Sequence, residues 1–135
     1  MTNSNQKIEW DSPEYRQRLL SALTSHIGGH NAISMTALYS AVYDRPWTDR
    51  INGTRLIRKL VTALRMEGVP ICSVTSASGG YYLPAAGSEA ADYMRRYEAK
   101  ALRILRAIAK MKKTSLPNYL GQIRLDMEGK DDEAA

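Results

Sequence analysis

Apolar residues along this chain recur mostly at helical spacing, interrupted once by a short alternating stretch. Tyr15, Leu19, Leu20, Leu23 and Ile27 follow Ser12-Pro13-Glu14, which pairs a capping serine with a proline at the first helical position and an early acid. Gly28-Gly29 is expected to stop that first helix. Ala32-Ile33-Ser34-Met35 reads as a strand stub. Thr36 then caps a second helix, Ala37 to Tyr43, with Leu38, Tyr39 and Val42 inward. It ends in Asp44-Arg45-Pro46-Trp47, because the residue before a proline is pushed out of the helical region. Asn52-Gly53-Thr54 reads as a turn followed by a cap. A third helix is predicted from Thr54 to Glu67, with Leu56, Ile57, Leu60, Val61 and Leu64 in one stripe and Gly68 closing it.

The pattern then changes period. Val69 to Thr75 reads as a strand, Ser76-Ala77-Ser78-Gly79-Gly80 as a tight turn, and Tyr81-Tyr82-Leu83 as the returning strand. Alternation along a strand would bury one of Tyr81 and Tyr82 and expose the other. Ser88 caps a long fourth helix reaching about Lys113. Leu116-Pro117 breaks it, and Tyr119, Leu120, Ile123 and Leu125 mark a short segment that folds back. The fold class is α+β, helices clustered around one small hairpin. The organisation expected is a loose arm (1–11), a helix–hairpin domain (12–87), a long helix with its fold-back segment (88–125) and an acidic flexible tail (126–135).

Length and composition narrow the class. A chain of 135 residues, 44% hydrophobic, is sized for one domain with a real core and contains no apolar run long enough for a bilayer. The polar start Met1 to Gln6 lacks the architecture of a secretion signal. The single cysteine, Cys72, excludes an intrachain disulfide and any cysteine-rich zinc module. A cytoplasmic protein is expected. His26 and His30 stand four apart, but the glycines between them break the helix and no third ligand is near, so no metal or other cofactor is expected.

Charge shifts the reading towards a polyanion. The net charge is +5, yet residues 126–135 carry five acids against Lys130, a net −4, which leaves +9 on the rest of the chain. Most of those cations fall into two clusters. One holds Arg45, Arg50, Arg55, Arg58, Lys59 and Arg65; the other runs from Arg95 to Lys113. Two basic clusters on a small protein fit nucleic acid. In the third helix the apolar stripe leaves Thr54, Arg55, Arg58, Lys59 and Thr62 on the outer face. Arginine can bond guanine with two hydrogens, threonine can touch a base edge or a phosphate, and the amides near Asn52 to Arg55 suit a phosphate.

These residues carry a family resemblance. Ala63-Leu64-Arg65-Met66-Glu67-Gly68-Val69-Pro70-Ile71-Cys72-Ser73, followed by Gly79-Gly80-Tyr81-Tyr82-Leu83, resembles the end of the reading helix and the wing of winged helix-turn-helix regulators. The biotin-repressor-like and deoxyribonucleoside-repressor-like groups are most similar. The match is specific over 54–84 and looser over 13–53. The resemblance implies that 12–87 is a winged helix-turn-helix domain, with Asn52, Thr54, Arg55, Arg58, Lys59 and Thr62 at the DNA and Ser76, Ser78 and Gly79 at the wing tip. The chain departs from the family in two places. The connection from Asp44 to Gly53 is longer than its tight turn, and the wing tip lacks the Arg or Lys that enters a minor groove.

The fourth helix has a second pattern. Met94, Tyr97, Ala101, Ile104, Ile108 and Met111 recur at alternating spacings of three and four, the seam of a coiled coil. The seam is expected to pair two copies in a two-fold dimer. On the outer face of this helix, Arg96, Lys100, Arg103 and Lys110 are left for phosphates or an acidic protein partner. Trp10, Trp47 and the tyrosines are expected to fill the core. No catalytic constellation is visible: Gly79-Gly80 sits in a hairpin rather than between strand and helix, and Cys72 lies on a buried strand. The expectation is a non-enzymatic, double-stranded DNA-binding, dimeric transcriptional regulator of bacterial or phage type. A winged-helix adaptor in a replication or transcription assembly is the alternative.

Overall fold

The Ser12 hydroxyl accepts a hydrogen bond from the Tyr15 amide (3.3 Å) and starts α1, Pro13–Leu23, in the computed structural model, which describes residues 10–75 and 79–134. Of the expected arm, residues 1–9 lie outside the described residues. α1 ends earlier than the apolar spacing implies. Ile27 lies beyond it, 40% exposed, and forms an isolated bridge with Leu83. The backbone there is drawn into pairing: the Gly28 amide donates to Leu83 O (2.8 Å) and the Leu83 amide to His26 O (3.0 Å). A 3₁₀ turn, Gly29–Asn31, follows.

α2 spans Met35–Tyr43, and its cap is Ser34, not Thr36. Ser34 has an extended backbone, so its hydroxyl oxygen reaches the Ala37 amide at 3.2 Å, whereas Thr36 already lies within the helix. The strand stub shrinks accordingly to Ile33, which exchanges two backbone hydrogen bonds with Tyr81 (2.9 and 3.1 Å). Asp44, in the left-handed conformation, closes α2 by donating its amide to Ser40 O.

α3 is longer than the sequence implies, Arg50–Met66. Asn52-Gly53 is not a turn but part of the first helical turns. The real start is Asp49, whose carboxylate accepts from the Asn52 amide (3.1 Å). The connection from α2 is therefore Asp44 to Asp49, shorter than the expected stretch to Gly53. Leu19, Leu23, Leu38, Val42, Ile57, Leu60 and Leu64 are fully buried where α1, α2 and α3 meet. Each such side chain stabilises the fold by about 1.5–3 kcal/mol through removal from water.

Two short strands complete this unit. β1 (Cys72–Ser73) and β2 (Tyr81–Tyr82) pair antiparallel, Cys72 opposite Tyr82 and Ser73 opposite Tyr81. Tyr81 and Tyr82 are both buried, against the expectation that one faces water. β2 pairs with β1 along one edge and with the Ile27 and Ile33 bridges along the other, and both of its faces are packed. Tyr81 joins the main core, and Tyr82 rests on Gly29, where a Cβ would lie 3.4 Å from its ring. Arg65 clamps the end of α3 to this strand pair: its Nε donates to Ile71 O (2.8 Å) and its guanidinium lies 5.9 Å from the Tyr81 ring centre.

α4 spans Gly87–Met111 and α5 spans Leu116–Ala134. The fold-back segment thus continues as helix through the acidic stretch expected to be a flexible tail. The chain divides into two compact units, residues 1–91 and 92–135, α4 running from one into the other. The described residues form an α+β fold, mostly helical with one small sheet, and contain no helix long and apolar enough to cross a membrane.

Candidate nucleic-acid interface

The site is built on the outward side of α3. With Ile57, Leu60, Val61 and Leu64 turned into the core, helical geometry brings Thr54, Arg55, Arg58, Lys59 and Thr62 to one surface. All five line an open cleft of about 790 Å³, together with Trp10, Arg50, Ile51 and Ala63. Arg50, Arg55, Arg58 and Lys59 are exposed, and among the described residues no carboxylate forms an ion pair with any of them. A row of cations along one helix face raises the local positive potential and attracts anions.

One aromatic residue, Trp10, lines the cleft. The Tyr43 hydroxyl donates to the Trp10 carbonyl (3.3 Å), and Tyr43 is itself held by the Tyr15 and Tyr39 rings at 4.8 and 5.0 Å. Burial, reinforced by those neighbouring phenols, pushes the Tyr43 phenol well above its ordinary range, so it remains a donor at any physiological pH. Anchored there, Trp10 sits 5.9 Å from Lys59 Nζ. Trp47 is not part of the lining but lies beside Arg50, whose guanidinium is 5.5 Å from its ring centre. Both tryptophans pack partly against the core, as expected, but Trp10 also forms a wall of the cleft.

Gly53 is the reason Trp47 can lie flat on α3. A Cβ there would collide with the indole Cδ1 and Nε1. The indole Nε1 is buried without a hydrogen-bond partner among the described residues, a cost accepted because the ring covers the start of the helix. Gly53→Ala should displace Trp47 and destabilise the first unit by about 1–3 kcal/mol, the usual penalty of overpacking. In a Trp10→Phe background the emission of Trp47 should shift to the red; unchanged emission and stability would remove this account.

Asn52 takes no part in the cleft. It is engaged with Asp49, which accepts from its amide and, at 2.6 Å, from its Nδ2. The expectation that amides near Asn52 to Arg55 await a phosphate is therefore corrected. The Asn52 amide is capped by a carboxylate, and the Gly53 amide donates to Asp49 O (2.9 Å) within the helix. The Asn52 amide, then its side chain, with some help from Arg55, hold the Asp49 carboxyl below the usual carboxylate range. A depressed folded-state pKa means the cap stabilises α3 above the ordinary carboxylate pKa of about 4, and that this is lost as pH falls through the lower folded value. Asp49→Ser keeps a cap while deleting the anion beside the cleft. It should raise duplex affinity by up to about fivefold at low salt and abolish this acid-side dependence; weaker binding would show that Asp49 assists.

The remaining expected residues are less informative. Ser76 and Ser78 lie outside the described residues, and Gly79, with φ +64°, has no described residue within 4 Å of where a Cβ would stand. Arg65, counted with the first basic cluster, is committed to Ile71 and Tyr81. In the second unit Met94, Tyr97, Ile104 and Met111 are 54–75% exposed, Ala101 is exposed and Ile108 half-buried. Trp10, Arg50 and Ile51 were not legible as site residues. Arg50 and Ile51 were hidden by the false turn at Asn52-Gly53, although Asp49 three residues before Asn52 is a capping signal. Trp10 has no local signal, being brought to α3 only by tertiary packing.

No protein-family model, curated protein or solved structure matches the chain. Among the described residues no group of three or more His, Cys, Asp or Glu is placed to hold a metal ion.

Proposed function

We propose that residues 12–87 are a winged helix-turn-helix that binds double-stranded DNA with α3 as the reading helix, in a small dimeric transcriptional regulator of bacterial or phage type. The observation that carries this reading is the cleft along α3, where Arg50, Arg55, Arg58 and Lys59 form no ion pair among the described residues. The arrangement around it supports the same reading. α2 precedes α3 through a short connection, and an antiparallel strand pair follows α3 directly, which is the order of such a domain. A major groove admits one helix, and α3 offers it arginines with threonines between them. The exposed seam on α4 supports pairing of two copies, which would present two α3 helices to half-sites about 34–36 Å apart.

Titration of random-sequence duplex DNA by fluorescence anisotropy at several salt concentrations tests the proposal. Binding should weaken log-linearly, with a slope of about −0.9 for each phosphate neutralised. Absence of binding at low salt would refute it. One observation favours the adaptor reading: Ile51 on the cleft and Met66 at the end of α3 are 72% and 84% exposed, apolar surface that fits a protein partner. That reading predicts an interaction insensitive to duplex DNA.

A further inference from the structure

The second unit carries two uncovered apolar stripes of unlike charge. On α4, Met94, Tyr97, Ile104 and Met111 are exposed along the seam. Heptad geometry places Lys100 beside that seam and Arg96, Arg103 and Lys110 further round on the same side of the helix, all of them exposed. On α5, Leu120 and Met127 share one helical face and are 38% and 62% exposed, with Asp126 and Glu128 beside them. From Asp92 to Lys113 the chain holds eight cations against Asp92 and Glu98; from Leu116 onward it holds five acids against Arg124 and Lys130. Among the described residues no ion pair joins α4 to α5: Arg95 pairs with Asp92 within α4, and Arg124 with Glu128 within α5.

We infer that these surfaces are the two halves of one self-complementary interface, in which the acidic α5 of each copy docks along the basic flank and apolar seam of α4 in a second copy. The inference rests on the self-association proposed above and adds the element that covers the seam. A two-fold arrangement makes both contacts at once, since whatever α4 of one copy presents to α5 of the other is returned. Two α4 seams packed only on each other would bring their like-charged flanks together, whereas α4 against α5 joins cations to acids around an apolar centre. Opposite charge fixes the register, and the apolar side chains supply most of the affinity.

Sedimentation equilibrium on the full chain and two charge-reversed forms tests this. One form carries Arg96→Glu, Arg103→Glu and Lys110→Glu; the other carries Asp126→Lys and Glu128→Lys. Wild type should dimerise, each reversed form should dissociate at least about tenfold more readily, and an equimolar mixture should recover wild-type association, because both contacts in the mixed dimer are again complementary. If only the α4 form weakens, the dimer is built from α4 alone and the cross-pairing is overturned. Weakening of both forms without recovery on mixing would place the charge contact within one chain and overturn it equally. A monomeric wild type would remove the self-association itself. A dimer indifferent to both reversals would remove only the cross-pairing. None of these outcomes depends on DNA, so duplex binding stands or falls separately.

Discussion

Replacing Arg55 and Arg58 together by alanine is expected to weaken duplex binding at least about thirtyfold, with the fold intact. Both side chains are exposed, line the cleft and form no ion pair among the described residues, so their removal breaks no such internal contact. Alanine is also the better helix former, so α3 itself should not suffer. Each lost contact to a base edge or phosphate costs about 1–3 kcal/mol, and two at the lower end already amount to more than a factor of ten. The salt dependence identifies what each arginine touches. Loss of a phosphate contact lowers the slope by about 1, whereas loss of a base contact leaves the slope and relaxes sequence preference. If the double variant binds duplex as wild type does, with unchanged circular dichroism, α3 is not the reader.

The second large effect is expected at Gly80. Its φ is +135°, a region open to glycine and strained for other residues, and a Cβ there would lie 2.7 Å from the carbonyl oxygen of Ile33. That oxygen accepts the Tyr81 amide, and the Gly80 carbonyl accepts the Val74 amide (3.0 Å), so one methyl group presses on the joint between hairpin and core. Gly80→Ala should destabilise the first unit by at least about 2 kcal/mol, measured by urea titration followed by tryptophan fluorescence. Gly79→Ala is the control. Its φ of +64° is strained as well, but among the described residues nothing lies within 4 Å of the added carbon, so the backbone penalty of about 1–2 kcal/mol is what is expected. Equal losses at the two positions would show that the approach to Ile33 is not the cause.

Most of the first unit was legible because its signals are local. The helical stripe of Ile57, Leu60, Val61 and Leu64 lies where the spacing placed it, Gly68 ends α3 with φ +96°, and Cys72 is buried. The errors arose where tertiary contacts outweighed local preference. Asn52-Gly53 has the composition of a turn, yet Trp47 needs a residue without a side chain beneath it, and Asp49 offers a competing cap. Strand alternation misplaced one of Tyr81 and Tyr82 because each face of β2 is packed, Tyr81 on the core and Tyr82 on Gly29, whereas a two-stranded hairpin alone would leave one face in water. Of the site, the cations on α3 followed from the helical period alone. Trp10 did not, since it reaches the cleft through a hydrogen bond from Tyr43 and nothing near it in the chain foretells that bond.

The stacking of Trp47 on Gly53 has a consequence for how this sequence can diverge. The two positions are joined as lock and key, so neither is free to drift alone. A side chain at position 53 becomes acceptable only once the indole at 47 has been exchanged for something smaller, and while the indole stays, glycine must stay with it. Homologous sequences, when aligned, should show these two columns changing together. The neighbouring cations of α3 should instead vary with the molecule they meet. Covariation at 47 and 53 would therefore mark the conserved frame of the corner, and variation at 55 and 58 the part free to acquire a new specificity.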